Sequence, residues 1–282
     1  MQIFDHTNEL HDALGEERLA KRSVGFVPTM GALHKGHLSL VKKAVAENDT
    51  VVVSIFVNPT QFDNQQDFDK YPEDFERDIT LLKTASDNII VFAPKKAEIY
   101  NGEITSKTFE FKGLEKVMEG AFRNGHFNGV ATIVELLLNA VKANRAYFGE
   151  KDFQQLQIIR ALVAQKEMPV EIIGCPIERE PNGLARSSRN ERLSKTTRTK
   201  AGFIYEVLNT AKKKFGMESA GYIKDWVSEN FAQQQLFKLE YFEIADVKTL
   251  TPITKKQKNK KYRAFIAVYA EEVRLIDNIA LN

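Results

Sequence analysis

The sequence contains almost no cysteine and no long apolar segment. Cys175 is the single cysteine in 282 residues, which excludes an internal disulfide. It lies in the apolar run VEIIGCP, which favours an inert buried thiol over a catalytic nucleophile. No apolar run approaches the roughly 20 residues that span a bilayer, and MQIFDHTNEL lacks the basic flank and apolar core of a signal peptide. We therefore expect a cytoplasmic protein with no membrane partner.

The charges also leave little net field around the chain. Lys and Arg number 40 against 38 Asp and Glu, so the formal net charge is +2. Such a balance is not typical of a nucleic-acid-binding protein. The one concentrated basic run, TKKQKNKKYR at residues 254–263, lacks interleaved aromatic residues and lies between two strand-like segments. It predicts a solvated hairpin loop, to which we assign no function, and we expect small-molecule partners and no nucleic acid.

Apolar strand-like runs alternate with helical periodicity over residues 1–177. SVGFVPT, the amphipathic HLSLVKKAVAE and TVVVSIFV make up a βαβ unit, and the same alternation continues to VEIIGC. Nearly continuous Val and Ile runs such as VVVSIFV are typical of parallel strands that are buried on both faces. The sequence therefore predicts an α/β fold with a doubly wound parallel sheet in this part of the chain.

The pattern changes after about residue 177. A Pro-Asn-Gly turn and the Ser- and Arg-rich RSSRNERLSKTTRTK precede two amphipathic helices near 200–215 and 219–234. Alternating strands EYFEIADV and RAFIAVYA follow. Residues 178–282 are therefore predicted to form a smaller α+β domain that carries the Ser-Ser-Arg loop.

The first strand-to-helix turn carries two of the five histidines, in PTMGALHKGH. Ligands of doubly wound sheets bind beyond the carboxyl ends of the strands, and the N–H groups of a following helix favour phosphate. Gly31 and Gly36 permit close approach of the backbone. Imidazoles, with an ordinary pKa of about 6.5, can donate hydrogen bonds or carry charge beside phosphate, so His34 and His37 are predicted to face an anion.

The sequence allows two other interpretations of His34 and His37. An isolated His-x-x-His pair is as often a pair of surface or capping residues, but the strand before it, the helix after it and the internal glycines favour phosphate. Zinc would need further ligands, and no Cys, His or Glu cluster supplies them.

HKGH resembles the His-x-Gly-His (HxGH) motif of the nucleotidyltransferase and class I aminoacyl-tRNA synthetase superfamily, whose members form adenylates from ATP. Within that superfamily, five blocks between about residues 24 and 194 resemble the pantoate–β-alanine ligase family in family order. These blocks are PTMGALHKGHLSLV, SIFVNPTQF, RNGHFNGVATIV, FGEKDFQQL and GLARSSRN. The C-terminal hundred or so residues resemble the family mainly in length and layout.

The resemblance implies a Rossmann-like first domain that binds ATP and pantoate. It implies ATP-dependent condensation of (R)-pantoate with β-alanine through a pantoyl adenylate, giving pantothenate, AMP and pyrophosphate in vitamin B5 and coenzyme A biosynthesis. ATP would be the co-substrate with Mg²⁺, and the enzyme would be a homodimer. The sequence does not identify the magnesium ligands, although Asp78 is one candidate.

Amide side chains follow two of the predicted strands. Asn58 and Gln61 end the second parallel strand, and Gln155 lies on the first turn of the helix after AYFG. Amides suit hydroxyls and a carboxylate, and the resemblance assigns Gln61 and Gln155 to pantoate. A single Gln is more often solvated, but two at paired strand ends favour binding. Arg123 and His126 are weaker substrate candidates, because either could simply order the loop before the long helix.

Basic and hydroxyl side chains offer a phosphate site. Lys151 supplies a point charge, Arg189 can form bidentate hydrogen bonds, and Asp152 can accept from ribose or cap a helix. A serine-arginine cluster alone is more often an exposed turn, but here it resembles the superfamily's mobile Lys-Met-Ser-Lys-Ser loop. The resemblance implies a catalytic set of His34, His37, Lys151 and Arg189. It implies nucleotide contacts from Thr29, Met30, Gly31, Ala32, Leu33, His34, Lys35, Gly36, His37, Gly149, Glu150, Lys151, Asp152, Glu178, Arg186, Ser187, Ser188 and Arg189.

Two positions depart from the family pattern. Arg186 stands where the residue before the two serines is usually apolar, and Glu73 follows Tyr71-Pro72 where a basic residue is common. These changes concern adenine and loop contacts and leave the reaction class unaffected.

Two rival functions remain. A nucleotidyltransferase that joins AMP or CMP to a phosphorylated precursor would need a second phosphate site, against which the amide-rich NPTQF argues. An RNA-binding module on a synthetase-like core is disfavoured by the near-neutral charge and the lack of an evident anticodon-binding domain.

Overall fold

The structure is a computed structural model that describes residues 1–62, 68–69, 71–100 and 102–282. The described chain divides into two compact units. The first unit comprises Met1–Glu115, Gly120–Glu150 and Gln155–Pro176. The second unit comprises Ile177–Asn282 together with two short segments, Lys116–Glu119 and Lys151–Gln154.

The first unit is built on a parallel sheet of six strands. The strands are β1 (Gln2–Phe4), β2 (Val24–Thr29), β3 (Thr50–Ile55), β4 (Ile89–Phe92), β5 (Arg145–Gly149) and β6 (Glu171–Cys175). They are arranged in the order β1-β4-β3-β2-β5-β6, and every neighbouring pair is parallel. The direction of winding reverses between β2 and β5, which confirms the predicted doubly wound sheet.

Helices connect these strands. They are α1 (Thr7–Leu19), α2 (Lys35–Glu47), α3 (Phe75–Lys83), α4 (Lys96–Tyr100), α5 (Glu119–Phe122), α6 (His126–Val141) and α7 (Phe153–Gln165). One core cluster packs buried side chains of β2, β3 and β4 against α2 and α3. Alternate residues of the Val and Ile runs, such as Val51 and Val53, lie in that core, and Val52 between them is also buried because both faces of the parallel sheet are covered.

The sequence did not predict β1 and α1. The strand has only three residues, and the helix buries only Leu10 and Leu14 in thirteen residues. Both signals are too short or too polar for a clear period of two or 3.6 residues.

The second unit has three helices and an antiparallel sheet of three strands within the described residues. The helices are α8 (Lys195–Lys200), α9 (Phe203–Phe215) and α10 (Ala220–Ala232), and the strands are β7 (Phe237–Asp246), β8 (Tyr262–Ala270) and β9 (Val273–Ala280). The strand order is β7-β8-β9, with antiparallel pairing throughout. The smaller α+β arrangement is confirmed, but only β7 and β8 were predicted. The sequence VRLIDNIA of β9 places Asp277 and Asn278 in the interior, and these polar residues obscured the apolar alternation.

The basic run at 254–263 joins the antiparallel strands β7 and β8, as predicted for a hairpin loop. The Lys256 ammonium donates to the carbonyl of Phe215, and the Tyr262 hydroxyl accepts from the N–H of Gln257 at 2.7 Å. In the part of the chain that the structure describes, no helix is both long and apolar enough to cross a membrane.

Candidate active site

The turn after β2 is ordered by hydrogen bonds to the carboxylate of Asp78. Gly31 has φ +77°, and a Cβ there would lie 3.0 Å from Asp78 Oδ2, so glycine is required. The buried Asp78 carboxylate accepts from the N–H groups of Ala32 and Leu33, the latter at 2.7 Å. Burial raises the pKa of Asp78, and these hydrogen bonds oppose that rise. Asp78 therefore orders the turn, and its occupied carboxylate fits a magnesium ligand poorly.

The two histidines cap α2. His34 is the N-cap residue, and its Nδ1 accepts from the N–H of Gly36 at 3.0 Å. The Nδ1 of His37 accepts from the N–H of His34 at 3.3 Å, so the pair forms a reciprocal capping box. The rings stack with centroids 4.1 Å apart. Because each Nδ1 accepts, the neutral rings carry their protons on Nε2. The capping interpretation is thus confirmed for Nδ1, and phosphate binding stays a prediction that concerns Nε2.

One turn of 3₁₀ helix, Pro59–Gln61, follows β3 and packs closely on α6. A Cβ on Gly129 would lie 2.1 Å from the carbonyl oxygen of Thr60, so a side chain at this position would displace the turn. Asn58 is 1% exposed, and its Nδ2 donates to Gly129 O and to Gln61 Oε1, both at 3.3 Å. Tyr100 donates its hydroxyl to Asn58 Oδ1, and burial raises the pKa of Tyr100, which keeps it a donor. Asn58 therefore orients the amide of Gln61.

His126 fixes the backbone of the same turn. It is the first residue of α6, it is buried, and its Nδ1 donates to the carbonyl of Gln61 at 2.7 Å. Arg123 Nη1 lies 3.0 Å from His126 Nε2, which accepts in this tautomer. The Gln61 amide also lies against the sulfur of Met30, in the turn after β2. These contacts support the loop-ordering interpretation of Arg123 and His126, and their contact with substrate stays a prediction.

The two histidines and the two glutamines predicted to bind substrates follow three adjacent parallel strands of the first unit. Gln61 follows β3, His34 and His37 follow β2, and Gln155 follows β5 on the first turn of α7, where it is half-buried. The order β3-β2-β5 places β2 in the middle. Because the carboxyl ends of parallel strands share one edge, the histidines and both glutamines belong to the same edge of the sheet, beside the reversal of strand order.

In the second unit, Lys151 comes two positions after β5, within one turn of 3₁₀ helix, Glu150–Asp152. Its ammonium lies 3.5 Å from Asp152 Oδ1. Gly149 and Glu150, the preceding predicted contacts, are half-buried at the end of β5 and in the turn.

The Ser-Ser-Arg segment follows a short turn that an isolated bridge between Arg179 and Ala185 closes. The N–H of Arg186 donates to the carbonyl of Glu178 at 2.9 Å, and their side chains lie 3.8 Å apart. Two predicted nucleotide contacts therefore pair with each other, and the departure at Arg186 has an acidic partner. Ser187 caps the 3₁₀ helix Ser188–Arg192, with Oγ accepting from the N–H of Arg189 at 3.3 Å.

A network of the buried Asn190 with the half-buried Glu180 and Arg198 anchors the end of this segment. Asn190 donates its amide to Glu180 Oε1 at 3.0 Å and to the carbonyl of Ala185 at 3.1 Å. Arg198 Nε and Nη2 donate to the carboxylate of Glu180 at 3.0 and 2.9 Å. Burial alone would raise the pKa of Glu180, but the hydrogen bonds from Arg198 and Asn190 outweigh it and hold that pKa below its ordinary value. Sequence reasoning missed this anchor, because its members are spread over residues 180–198.

The structure also bears on the single cysteine and on metal binding. Burial raises the pKa of the Cys175 thiol to about 11, as suits the inert cysteine expected from VEIIGCP. Among the described residues, no group of three or more His, Cys, Asp or Glu side chains is placed to hold a metal ion.

The comparisons with known proteins agree over the whole chain. A model of the Pantoate-beta-alanine ligase family matches residues 2–280. The chain is 56% identical over 282 residues to a pantothenate synthetase of Christiangramia forsetii and 52% identical over 282 residues to one of Flavobacterium psychrophilum, with 100% of each chain covered.

Solved structures give the same result. A crystal structure of pantothenate synthetase from Thermus thermophilus matches with a TM-score of 0.91 at 41% identity, covering 100% of this chain and 99% of that one. A crystal structure of pantoate-beta-alanine ligase from Francisella tularensis, complexed with beta-gamma ATP and beta-alanine, matches with a TM-score of 0.77 at 35% identity, covering 100% and 98%.

Proposed function

The chain belongs to the pantoate–β-alanine ligase family, and from this premise we propose that it joins (R)-pantoate to β-alanine in two ATP-driven steps. In the first step a carboxylate oxygen of pantoate attacks the α-phosphorus of ATP, and the bond to the bridging oxygen breaks to release pyrophosphate. In the second step the amine of β-alanine attacks the acyl carbon of pantoyl adenylate. The bond to AMP breaks, AMP leaves, and the amine loses a proton as pantothenate forms.

The observation that carries this proposal is the capping arrangement of His34 and His37. With each Nδ1 accepting from the backbone at the start of α2, each neutral ring has its N–H at Nε2. We assign these donors to the oxygens of the α-phosphate, where negative charge grows as phosphorus becomes pentacovalent. The N-terminus of α2 adds backbone N–H groups of the same polarity.

The leaving pyrophosphate carries negative charge that basic groups can stabilise. We assign Lys151 and Arg189 to this role, because a point charge and a planar guanidinium both stabilise phosphate oxygens. Ser187 and Ser188 would hold the triphosphate through hydroxyl hydrogen bonds. Positioning and electrostatics then supply the catalysis, and no covalent intermediate with the enzyme forms.

Pantoate is assigned to Gln61 and Gln155. The bonds from Asn58 and His126 hold the side chain and the backbone of Gln61, so its amide can be preorganised for hydroxyl and carboxylate oxygens. Arg123 and His126 would contribute through this turn.

ATP is expected to arrive as its magnesium complex. Asp78 fits a ligand role poorly, because its buried carboxylate is used by the turn after β2. Mg²⁺ is commonly held by substrate phosphates and water with few protein ligands, so no step here depends on one.

The test is the order of product release. With ATP, Mg²⁺ and pantoate alone, the enzyme should release pyrophosphate and catalyse pantoate-dependent exchange of pyrophosphate into ATP. AMP and pantothenate should appear only when β-alanine is added. If exchange requires β-alanine, the adenylate step is wrong; if a phosphorylated acceptor replaces pantoate, the nucleotidyltransferase alternative is supported.

We also propose a homodimer, on the family resemblance alone. Light scattering should give a mass of twice 32.1 kDa, and a mass of 32.1 kDa at the concentration of the assay would exclude it.

A further inference from the structure

Two adjacent polar residues of β9, Asp277 and Asn278, are buried, with 4% and 2% of their surface exposed. Burial of such groups costs free energy unless they are hydrogen-bonded, so their partners indicate why they are there. One partner is the backbone of Lys151, and the other belongs to the turn that leads into the Ser-Ser-Arg segment.

Asn278 holds the backbone at Lys151. Its Nδ2 donates to the carbonyl oxygen of Lys151 at 2.8 Å. Its Oδ1 accepts from Arg263, whose guanidinium lies 4.1 Å from the ring centroid of Phe153. The amide has only one workable orientation, because the flipped form would place its oxygen against a carbonyl and its NH₂ against a guanidinium.

Asp277 holds the turn before the Ser-Ser-Arg segment. Its two carboxylate oxygens accept from Arg179 Nη1 at 2.6 Å and from Nη2 at 2.9 Å. Arg179 Nη1 also donates to the carbonyl of Gly183 at 2.9 Å, and its guanidinium stacks 3.7 Å from the ring centroid of Tyr205. This bidentate geometry leaves Arg179, and the turn that it closes, little freedom.

We propose that Asp277 and Asn278 are positioning residues for the reaction. Through one strand they fix the backbone of Lys151 relative to the turn that precedes Ser187, Ser188 and Arg189. This inference rests on the proposed function, in which Lys151 and Arg189 bind the phosphates of ATP. A displacement of about 1 Å at a catalytic group can cost about 10²-fold in rate, so such a frame matters without touching substrate.

The informative substitution is Asn278→Asp. The carboxylate has nearly the same shape and still accepts from Arg263, but it cannot donate to the carbonyl of Lys151. We expect kcat for pantoate-dependent pyrophosphate exchange to fall by about tenfold or more, with the KM for pantoate nearly unchanged. Asn278→Ser repeats the test without adding a buried charge.

Two controls separate positioning from general damage. Asn282 donates the same type of bond, to the carbonyl of Lys260 at 2.9 Å, outside any proposed site, so Asn282→Asp should leave exchange unchanged. Val227→Ala removes buried volume on α10 and supplies a variant of lowered stability with intact exchange.

A double-mutant cycle decides the inference. If Asn278 acts through Lys151, Asn278→Asp should change the residual exchange of Lys151→Ala by less than about twofold. Full additivity would overturn the inference, as would wild-type exchange in folded Asn278→Asp and Asn278→Ser. Asp277→Asn combined with Arg189→Ala forms the parallel cycle. Absence of pantoate-dependent exchange in the wild-type enzyme would instead refute the proposed function.

Discussion

At the scale of single residues, each imidazole of His34 and His37 has two ring nitrogens, of which Nδ1 caps α2 and Nε2 is the one that we assign to phosphate. A serine at position 34 and a glutamate at position 37 could form the same capping box. Neither side chain would have the N–H donor that a neutral imidazole keeps on its other ring nitrogen. The HKGH motif was predictable as a site because its residues are contiguous and follow a strand. The alternative, capping, is confirmed for Nδ1 of each ring, and the phosphoryl role stays a prediction that concerns Nε2.

Replacing His34 by Asn separates the cap from the chemistry. Asn is a good N-cap residue and can accept from the N–H of Gly36, so the thermal midpoint should stay close to wild type. The Nε2 donor is lost, and we expect pyrophosphate exchange to fall by about 10². His34→Ala should lose the same activity and also about 1 kcal/mol of stability. Near-normal turnover of folded His34→Asn would exclude the phosphoryl role.

Gln61 and Gln155 should determine the preference for pantoate over an analogue that lacks its hydroxyls. A site that bonds hydroxyls rejects such an analogue by about 10⁴, because its own polar groups are left unpaired. Gln61→Ala and Gln155→Ala should each raise the KM for pantoate and narrow this preference, while ATP binding stays close to wild type. Gln157→Ala on the same helix is the matched control. Steady-state kinetics with both substrates provide the measurement, and an unchanged preference would move the pantoate site elsewhere.

At the scale of elements, the contact of the Pro59–Gln61 turn with α6 depends on a missing side chain. Gly129→Ala would place a Cβ 2.1 Å from the Thr60 carbonyl, so the turn must shift. We expect a loss of about 1–3 kcal/mol in unfolding free energy and a higher KM for pantoate. In the control Gly15→Ala, on α1, a Cβ meets nothing within 4 Å, and stability should rise by up to about 1 kcal/mol. Urea unfolding compares the two, and equal effects would refute the role of the close contact.

The anchor of the Ser-Ser-Arg segment should depend on pH through Glu180. Its pKa in the folded chain lies below the ordinary 4.5, so the stabilisation is present above that pH and is lost as the pH falls through the lower folded value. The difference in unfolding free energy between wild type and Glu180→Gln should therefore be constant near neutrality and shrink below 4.5. Glu191→Gln alters an exposed partner of Arg198 and should show a much smaller difference. A pH-independent difference for Glu180→Gln would contradict the assignment.

Several features that local sequence patterns did not reveal depend on partners that are distant in the chain. The strand β9 was missed because Asp277 and Asn278 are buried by virtue of distant partners, which no local pattern records. Gly129 and Tyr100 escaped notice for the same reason, since they meet Asn58 from positions 71 and 42 residues away in the chain. Asn58 and His126 were named as candidates because they lie in contiguous motifs, whereas the contacts by which they hold the Gln61 turn join distant parts of the chain and leave no local pattern.

At the scale of the whole molecule, the doubly wound sheet was predictable because buried strands such as β2, β3 and β4 leave a repeated apolar signal, although the short β1 does not. The division of the chain was only partly visible. The periodicity changes near residue 177, but nothing local marks Lys116–Glu119 and Lys151–Gln154 as parts of the second unit. Glu119 belongs there through Arg274, which donates to its carboxylate at 2.6 and 2.8 Å across 155 residues of sequence.

A fragment of residues 177–282 should therefore fail to reach the native state of the second unit. It would lack Glu119, the partner of Arg274 and of the Tyr241 hydroxyl at 2.7 Å, and removal of one side of a buried ion pair costs about 3–5 kcal/mol. Circular dichroism should show no cooperative melting of the fragment. Glu119→Gln in the full chain measures how much the ion pair with Arg274 contributes to the unfolding free energy. A fragment that melts cooperatively near the temperature of the full chain would show that the two short segments are dispensable.

The same two segments impose an order on folding while the chain is being synthesised. The six strands of the first sheet are all made once β6 has emerged, whereas Glu119 must wait for Arg274 to be added 155 residues later. At about 5–20 residues per second, that interval is on the order of ten seconds or longer. Throughout that interval the carboxylate of Glu119 stays hydrated, and the carbonyl of Lys151 lacks its hydrogen bond from Asn278. The nascent chain thus carries the pieces of its proposed phosphate site for seconds before β9 arrives to fix them.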